Sequence, residues 1–281
     1  MRLRPGVLYM LGAAFFFSVM AVLVKLAARI PAQEVVFVRS ALNVLFTLAL
    51  IRRYRAPVVG RHVGWLLLRG TFGYLALSCH FFAIQRLPLA DAITLHNASP
   101  VLVALLAPPV LGEPGGPRAV GLAGLGLLGV AILLRPTGEV PLLPGLAALS
   151  GAFLSCLAYL TIRSLGRKEH PLTVVLWFPM ISVFASLGPT LATFVRPSLA
   201  EAFVLVGVGV ATTAAQLLLT VGLRLERASV ATSLSYTSIV FALIFGATAF
   251  GEIPDATTVA GSLIIVAAAV LVARARPREP A

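Results

Sequence analysis

Read for hydrophobic and polar positions, the chain is a succession of long apolar runs with short polar breaks. About 20 apolar residues cross a bilayer as a helix. Ten stretches meet that length, near 5–28, 33–52, 63–85, 88–111, 118–134, 142–164, 170–192, 199–223, 227–250 and 256–275. The fifth is the shortest. The connections are brief and rich in helix breakers, as in Arg29-Ile30-Pro31, Gly112-Glu113-Pro114-Gly115-Gly116-Pro117, Arg135-Pro136-Thr137-Gly138 and Arg196-Pro197. None is long enough to hold a soluble domain. The pattern predicts an all-α polytopic membrane protein of ten transmembrane helices. The first run follows Arg2 and Arg4, as a signal peptide would, but it is too long for a signal core and no small-residue cleavage site precedes the next span. It is expected to be a retained first helix.

Composition changes the picture only by removing alternatives. Of 281 residues, 59% are hydrophobic and 11% charged, with a mean hydropathy of +0.99. A soluble core of this size cannot hide so much apolar surface, so lipid is the solvent for most of it. The net charge of +12 would suggest nucleic acid in a soluble protein, but here the cations cluster between apolar runs and the aromatic residues sit inside them. Nucleic acid is therefore not an expected partner. With the N-terminus inside, the inner segments hold 15 Lys and Arg and the outer segments 5, while Arg39 and Arg69 fall within spans. That bias predicts both termini in the cytoplasm and a place in the cell's inner membrane. Cys79 and Cys156 lie inside apolar runs with no metal spacing and read as small hydrophobes.

A shift of 139 residues lays the fourth and fifth spans on the ninth and tenth. Ala92 then matches Ala231, Leu95 Leu234, Ser99 Ser238, Val101 Val240, Gly112-Glu113 Gly251-Glu252 and Arg135 Arg274. Two five-span halves are expected, 1–138 and 139–281. An odd number of spans per half turns the second half upside down, which is the inverted repeat of secondary transporters with a site near the midplane.

Ten spans in two halves, with Pro100 through Gly112-Glu113 closing the fourth span and Ser238-Ile239-Val240-Phe241 through Gly251-Glu252 closing the ninth, resemble the drug/metabolite transporter superfamily and its EamA-type members. The resemblance covers the whole chain and implies export of small metabolites or drugs across the inner membrane. Within the superfamily the chain looks most similar to amino-acid exporters, including those for aromatic amino acids. Ile239 stands where the first half has Pro100, which puts a shared helix break in doubt.

Polar groups are costly inside a membrane and usually face a bundle interior or a wet cavity. The fourth span offers Thr94, His96, Asn97 and Ser99, and the ninth Ser229, Thr232, Ser235 and Tyr236. Under the repeat, His96 maps to Ser235 and Asn97 to Tyr236. Ser18, Tyr74, His80, Ser155, Tyr159, Thr212, Thr213 and Gln216 complete the mid-span set. From these the expected solute-binding residues are Ser18, Tyr74, His80, His96, Asn97, Ser155, Tyr159, Thr213, Gln216, Ser235 and Tyr236. Each Ser or Thr has an equal claim to bonding a carbonyl of its own helix, and the histidines to packing or to proton-sensitive roles. Arg39 and Arg69 read as snorkelling or interhelical at least as readily as solute-binding. Glu113 and Glu252 follow helix ends, where capping of the following helix or a salt bridge to a loop Arg is expected.

No Asp or Glu lies at mid-membrane, and no motif of an intramembrane protease occurs. The expected function is secondary transport of small neutral or zwitterionic metabolites, amino acids first, rather than catalysis or conduction. No catalytic residue, metal or cofactor is expected; the partners are a small-molecule solute and the bilayer. The chain is read as a monomer, with Gly121, Gly124, Gly126 and Gly129 allowing close packing inside the fold or between protomers.

Overall fold

In lipid every backbone N–H and C=O must be satisfied within the protein, which leaves an apolar run of this length one option, the helix. A computed structural model of the chain describes residues 5–112, 141–166, 168–226 and 234–274, with 121, 124–125, 128–129, 131–132 and 231. Among these residues there are helices and no strands: α1 Pro5–Leu26, α2 Ala32–Tyr54, α3 Val63–Ile84, α4 Leu89–His96, α5 Ser99–Leu111, α6 Leu142–Leu165, α7 Pro171–Ala192, α8 Leu199–Leu225, a 3-10 turn Leu234–Tyr236, α9 Thr237–Phe250 and α10 Ala256–Arg274. With α4 and α5 counted as one broken span, seven are long and apolar enough to cross a membrane, and two shorter apolar helices follow. The fifth expected span lies largely outside the described residues, as do Glu113, Ser229 and Thr232.

The ends sit where local chemistry puts them. Pro171 opens α7, where its missing N–H costs nothing. Ser198 and Glu201 form a reciprocal capping box at the start of α8. Gly112 closes α5 at φ 65, ψ 21 and Gly251 closes α9 at φ 65, ψ 18, left-handed conformations that suit glycine. These two caps are 139 residues apart. The fourth span is interrupted at Asn97-Ala98, and at the same spacing the 3-10 turn Leu234–Tyr236 of the ninth runs into α9 at Thr237. A departure from the regular α-helix therefore recurs in both spans, although only one carries a proline at its third position beyond.

Packing follows the same exchange. α1 packs along α8 as α3 packs along α6, and α2 meets α8 as α3 meets α7. α5 rests on α6 as α9 rests on α1, while α2 pairs with α7 and α4 with α9. The core runs through the middle of this arrangement, from Met20 and Val24 of α1 to Phe81, Leu95, Phe178 and Tyr236.

Polar clasps mark both ends of the bundle. At one end, Lys25 pairs with Glu252 and donates to the Leu87 carbonyl (3.0 Å), while Glu252 accepts the Leu89 N–H (2.8 Å). Glu252 thus pairs with a lysine of α1 rather than with a loop arginine, and it accepts from the start of α4 rather than capping the helix that follows it. Arg29 pairs with Glu201, Glu34 accepts the Val195 N–H (2.9 Å), and Thr258 donates to Asp91 (2.9 Å) at the same end. At the other end, Glu169 accepts both the backbone N–H of His62 (2.7 Å) and a contact from its ring (2.9 Å). Burial pushes the Glu169 carboxyl up, but hydrogen bonds from His62 and Arg61 together hold it below its ordinary value.

Candidate functional site

Between the two clasped ends lies a cavity of about 110 Å³. At roughly 10–15 Å³ per water, that is room for several waters or a small solute. The broken spans bring Ile93, His96, Asn97, Ser235 and Ser238 to its wall. At a helix break the backbone stops satisfying itself, and side chains take over. The Asn97 amide donates to the Ile93 carbonyl (2.8 Å) and across the cavity wall to the Ser238 hydroxyl (3.0 Å), which itself donates to the Ser235 carbonyl (2.6 Å). The break in the fourth span is thus tied to the 3-10 turn of the ninth.

α3 and α6 supply the opposite wall. Gly151 lets them approach, for a Cβ there would lie 3.1 Å from the Ala76 carbonyl and 3.3 Å from the His96 ring. His80 and His96 stack with ring centroids 3.9 Å apart, and each Nδ1 is without a partner. The Ser155 hydroxyl meets His96 Nε2 at 3.3 Å, and Tyr159 stands one turn further along α6.

Of the eleven residues expected at the site, eight line this cavity: Ser18, His80, His96, Asn97, Ser155, Tyr159, Gln216 and Ser235. Ser18 also donates to the Ala14 carbonyl of its own helix at 2.8 Å. The other three face elsewhere. Tyr74 donates to Gln33 (3.3 Å) and the Ala185 carbonyl (3.2 Å), between α2 and α7. Thr213 closes on the Gly209 carbonyl (2.8 Å), the helix-bonding role open to any mid-span threonine. Tyr236 is buried in the apolar core, so the repeat-related pair of Asn97 and Tyr236 does not share one environment.

Sequence reasoning left Ser238 and Phe178 out of the expected set, and with them the two arginines. Neither snorkels. Arg39 is 1% exposed and Arg69 3%, and both line the cavity. Their guanidiniums sit over one ring, Phe178, with carbon-to-centroid distances of 5.1 and 4.6 Å. Such contacts contribute on the order of 2 kcal/mol when desolvated. Arg69 also donates to Gln216 (3.0 Å). Gly73 leaves the space that both need, since a Cβ there would strike Arg69 Nη1 and lie 2.6 Å from Phe178 Cδ2. A signal for Arg39 existed in the sequence: Arg39, Asn43 and Thr47 step by four along α2, and all three are buried.

Comparison with known proteins agrees with this architecture. A solved crystal structure superposes with a TM-score of 0.75 at 20% identity, covering 95% of each chain, which speaks to the fold alone. The Pseudopaline exporter CntI of Pseudomonas aeruginosa (strain UCBPP-PA14) is 35% identical over 278 residues, 98% of each chain. A riboflavin transporter of Rhizobium johnstonii is 26% identical, covering 100% of this chain and 95% of its own. Human solute carrier family 35 member G1 is 25% identical over 93% of this chain and 77% of its own. The model of the EamA-like transporter family matches twice, at 4–135 and 143–274. Caps and irregular turns that recur at one spacing, a central polar cavity and transporters as full-length relatives lead to one conclusion: this multi-pass membrane protein belongs to the EamA-like transporter family of the drug/metabolite transporter superfamily.

Proposed function

We propose that the chain exports small amino-acid-type metabolites by alternating access to the central cavity. The observation that carries this reading is the cavity's wall, where two guanidiniums, an amide pair and hydroxyls gather at mid-bundle beside Phe17 and Phe178. Carboxylate charge on the solute meets the guanidiniums that line the cavity, its other polar groups meet Asn97, Ser155 and Ser235, and its apolar part rests on the phenylalanines. A relative named as an exporter supports the direction of transport. The excess of Lys and Arg on one set of loops supports cytoplasmic termini and the inner membrane.

Alternating access requires that the two halves, 1–138 and 139–281, rock against each other around the site. The exchange-symmetric helix contacts, the matching glycine caps and the two matches of the family model support that division. The clasps at the two ends are the contacts that would break in turn. The test is counterflow of labelled amino acids into proteoliposomes holding purified protein. Saturable uptake that is lost in Asn97→Ala and Phe178→Ala is expected. Flux without saturation would replace this reading by a channel, and saturable uptake of structurally unrelated drugs alone would replace it by a multidrug exporter of the same fold.

A further inference from the structure

Among the described residues, the cavity is lined by two full positive charges and no negative one. Of the seven Asp and Glu among the described residues, none lines it. Glu34 is engaged by Val195, Asp91 by Thr258, Glu169 by His62, Glu201 by Arg29 and Glu252 by Lys25, all toward the bundle ends. Arginine stays charged in proteins. A buried charge without a partner is strongly unfavourable, the more so in a membrane. Yet Arg39 Nε and Nη2 and Arg69 Nε have no hydrogen-bond partner. The ring of Phe178 is shared between the two cations and carries no net charge. The protein without solute is therefore short of two negative charges at one place.

We infer that the solute brings both of them: the preferred substrate is a small net anion with two carboxylates, one for each guanidinium. This rests on the reading of the cavity as the transport site and narrows its substrate class. A planar guanidinium binds a carboxylate through two parallel N–H···O bonds. A solute with one carboxylate leaves one arginine unmatched. A zwitterion is worse, because its ammonium adds a third cation to a cavity with no acid to receive it. Hydroxyl and amide oxygens at Asn97, Ser155 and Ser235 can accept from the ammonium of an acidic amino acid, so such a solute also enters with both guanidiniums matched, while a plain dicarboxylate, which adds no cation, fits best.

The experiment uses four probes of similar size on the purified full-length chain: glutarate, L-glutamate, L-glutamine and butyrate. Binding is read as the shift in melting temperature in detergent, and transport as counterflow in proteoliposomes. Glutarate and glutamate are expected to stabilise the protein and exchange at concentrations at least tenfold below glutamine and butyrate. Arg39→Gln and Arg69→Gln should each abolish that preference, while Arg39→Lys keeps the charge and part of the preference. Without solute, Arg39→Gln should melt at the same temperature as the parent or higher, because it removes an unmatched charge. A merely structural arginine would instead make the variant melt lower.

Equal binding of glutamine and glutamate would overturn the inference, as would a dicarboxylate preference that survives both Gln variants. Binding of none of the four probes would overturn it too, yet leave the wider amino-acid counterflow to judge the transport reading. If dicarboxylates bind but nothing exchanges, the anion site stands and the transport reading falls.

Discussion

The clasp of Lys25, Glu252 and Leu89 ties three segments together at one end of the bundle, and Glu252→Gln tests whether it holds that end shut. The substitution keeps the shape and an acceptor for the Leu89 N–H, now 2.8 Å from a Glu252 oxygen. It removes the charge that faces Lys25. A fully exposed pair would contribute at most about 1 kcal/mol, and removing one partner of a fully buried pair costs about 3–5 kcal/mol. Here the side chains are 15% and 27% exposed, which places the loss between those limits, at about 1–3 kcal/mol. Some compensation remains, since Lys25 still donates to the Leu87 carbonyl and lies over the Phe250 ring. A loss of that size raises the population open at this end roughly 5- to 150-fold.

The readout is labelling of a cavity thiol by an impermeant maleimide. Ala21→Cys provides the thiol, because Ala21 lines the cavity and is buried. Cys79 and Cys156 are both free thiols and are replaced by Ala beforehand. With reagent on the Lys25 side, Glu252→Gln should label at least about fivefold faster than its parent. The exchange Lys25→Glu with Glu252→Lys should return the rate toward that of the parent. An unchanged rate in Glu252→Gln, with the protein folded, would show that the ion pair does not hold this end shut.

Three further outcomes are expected. Gly73→Ala should overpack the contact with Phe178 and Arg69, lowering stability by about 1–3 kcal/mol in thermal unfolding and raising KM more than it lowers kcat. Gly251→Ala and Gly112→Ala force a left-handed conformation on a side chain, and each should cost about 1–2 kcal/mol, read as a lower melting temperature. The Glu169 carboxyl is held below its usual 4.5, so its contribution is complete above that value and fades as pH falls through the lower folded value. Melting temperature measured against pH should therefore drop on the acid side in the parent and stay flatter in Glu169→Gln.

The spans were legible because their cause is local. Pro5–Leu26, Ala32–Tyr54, Val63–Ile84, Leu142–Leu165 and Pro171–Ala192 begin and end within a few residues of the apolar runs. The recurring Gly-Glu at the ends of the fourth and ninth spans was legible too, as were Asn97 and Gln216, whose amides carry more donors and acceptors than a helix backbone can satisfy. The recurrence of an irregular turn was not. Ile239 in place of Pro100 left a shared break in doubt, and the contact that joins the two turns, Asn97 to Ser238, spans 141 residues of sequence.

Which faces meet is a different matter. Ser18 and Thr213 are both mid-span hydroxyls and both bond their own helix, yet only Ser18 also reaches the cavity. Tyr74 and Gly73 are neighbours, and only the glycine faces it. Helices that are apolar nearly all round carry little to orient them in lipid, so rotation about their axes is set by packing against neighbours distant in sequence. The same holds for charge. The sequence by itself determined that two arginines lie within spans, because Lys and Arg elsewhere keep to the loops. That they converge on Phe178 rather than reach for the headgroups was decided only by tertiary structure, where α2, α3 and α7 meet and enclose both guanidiniums out of reach of either surface.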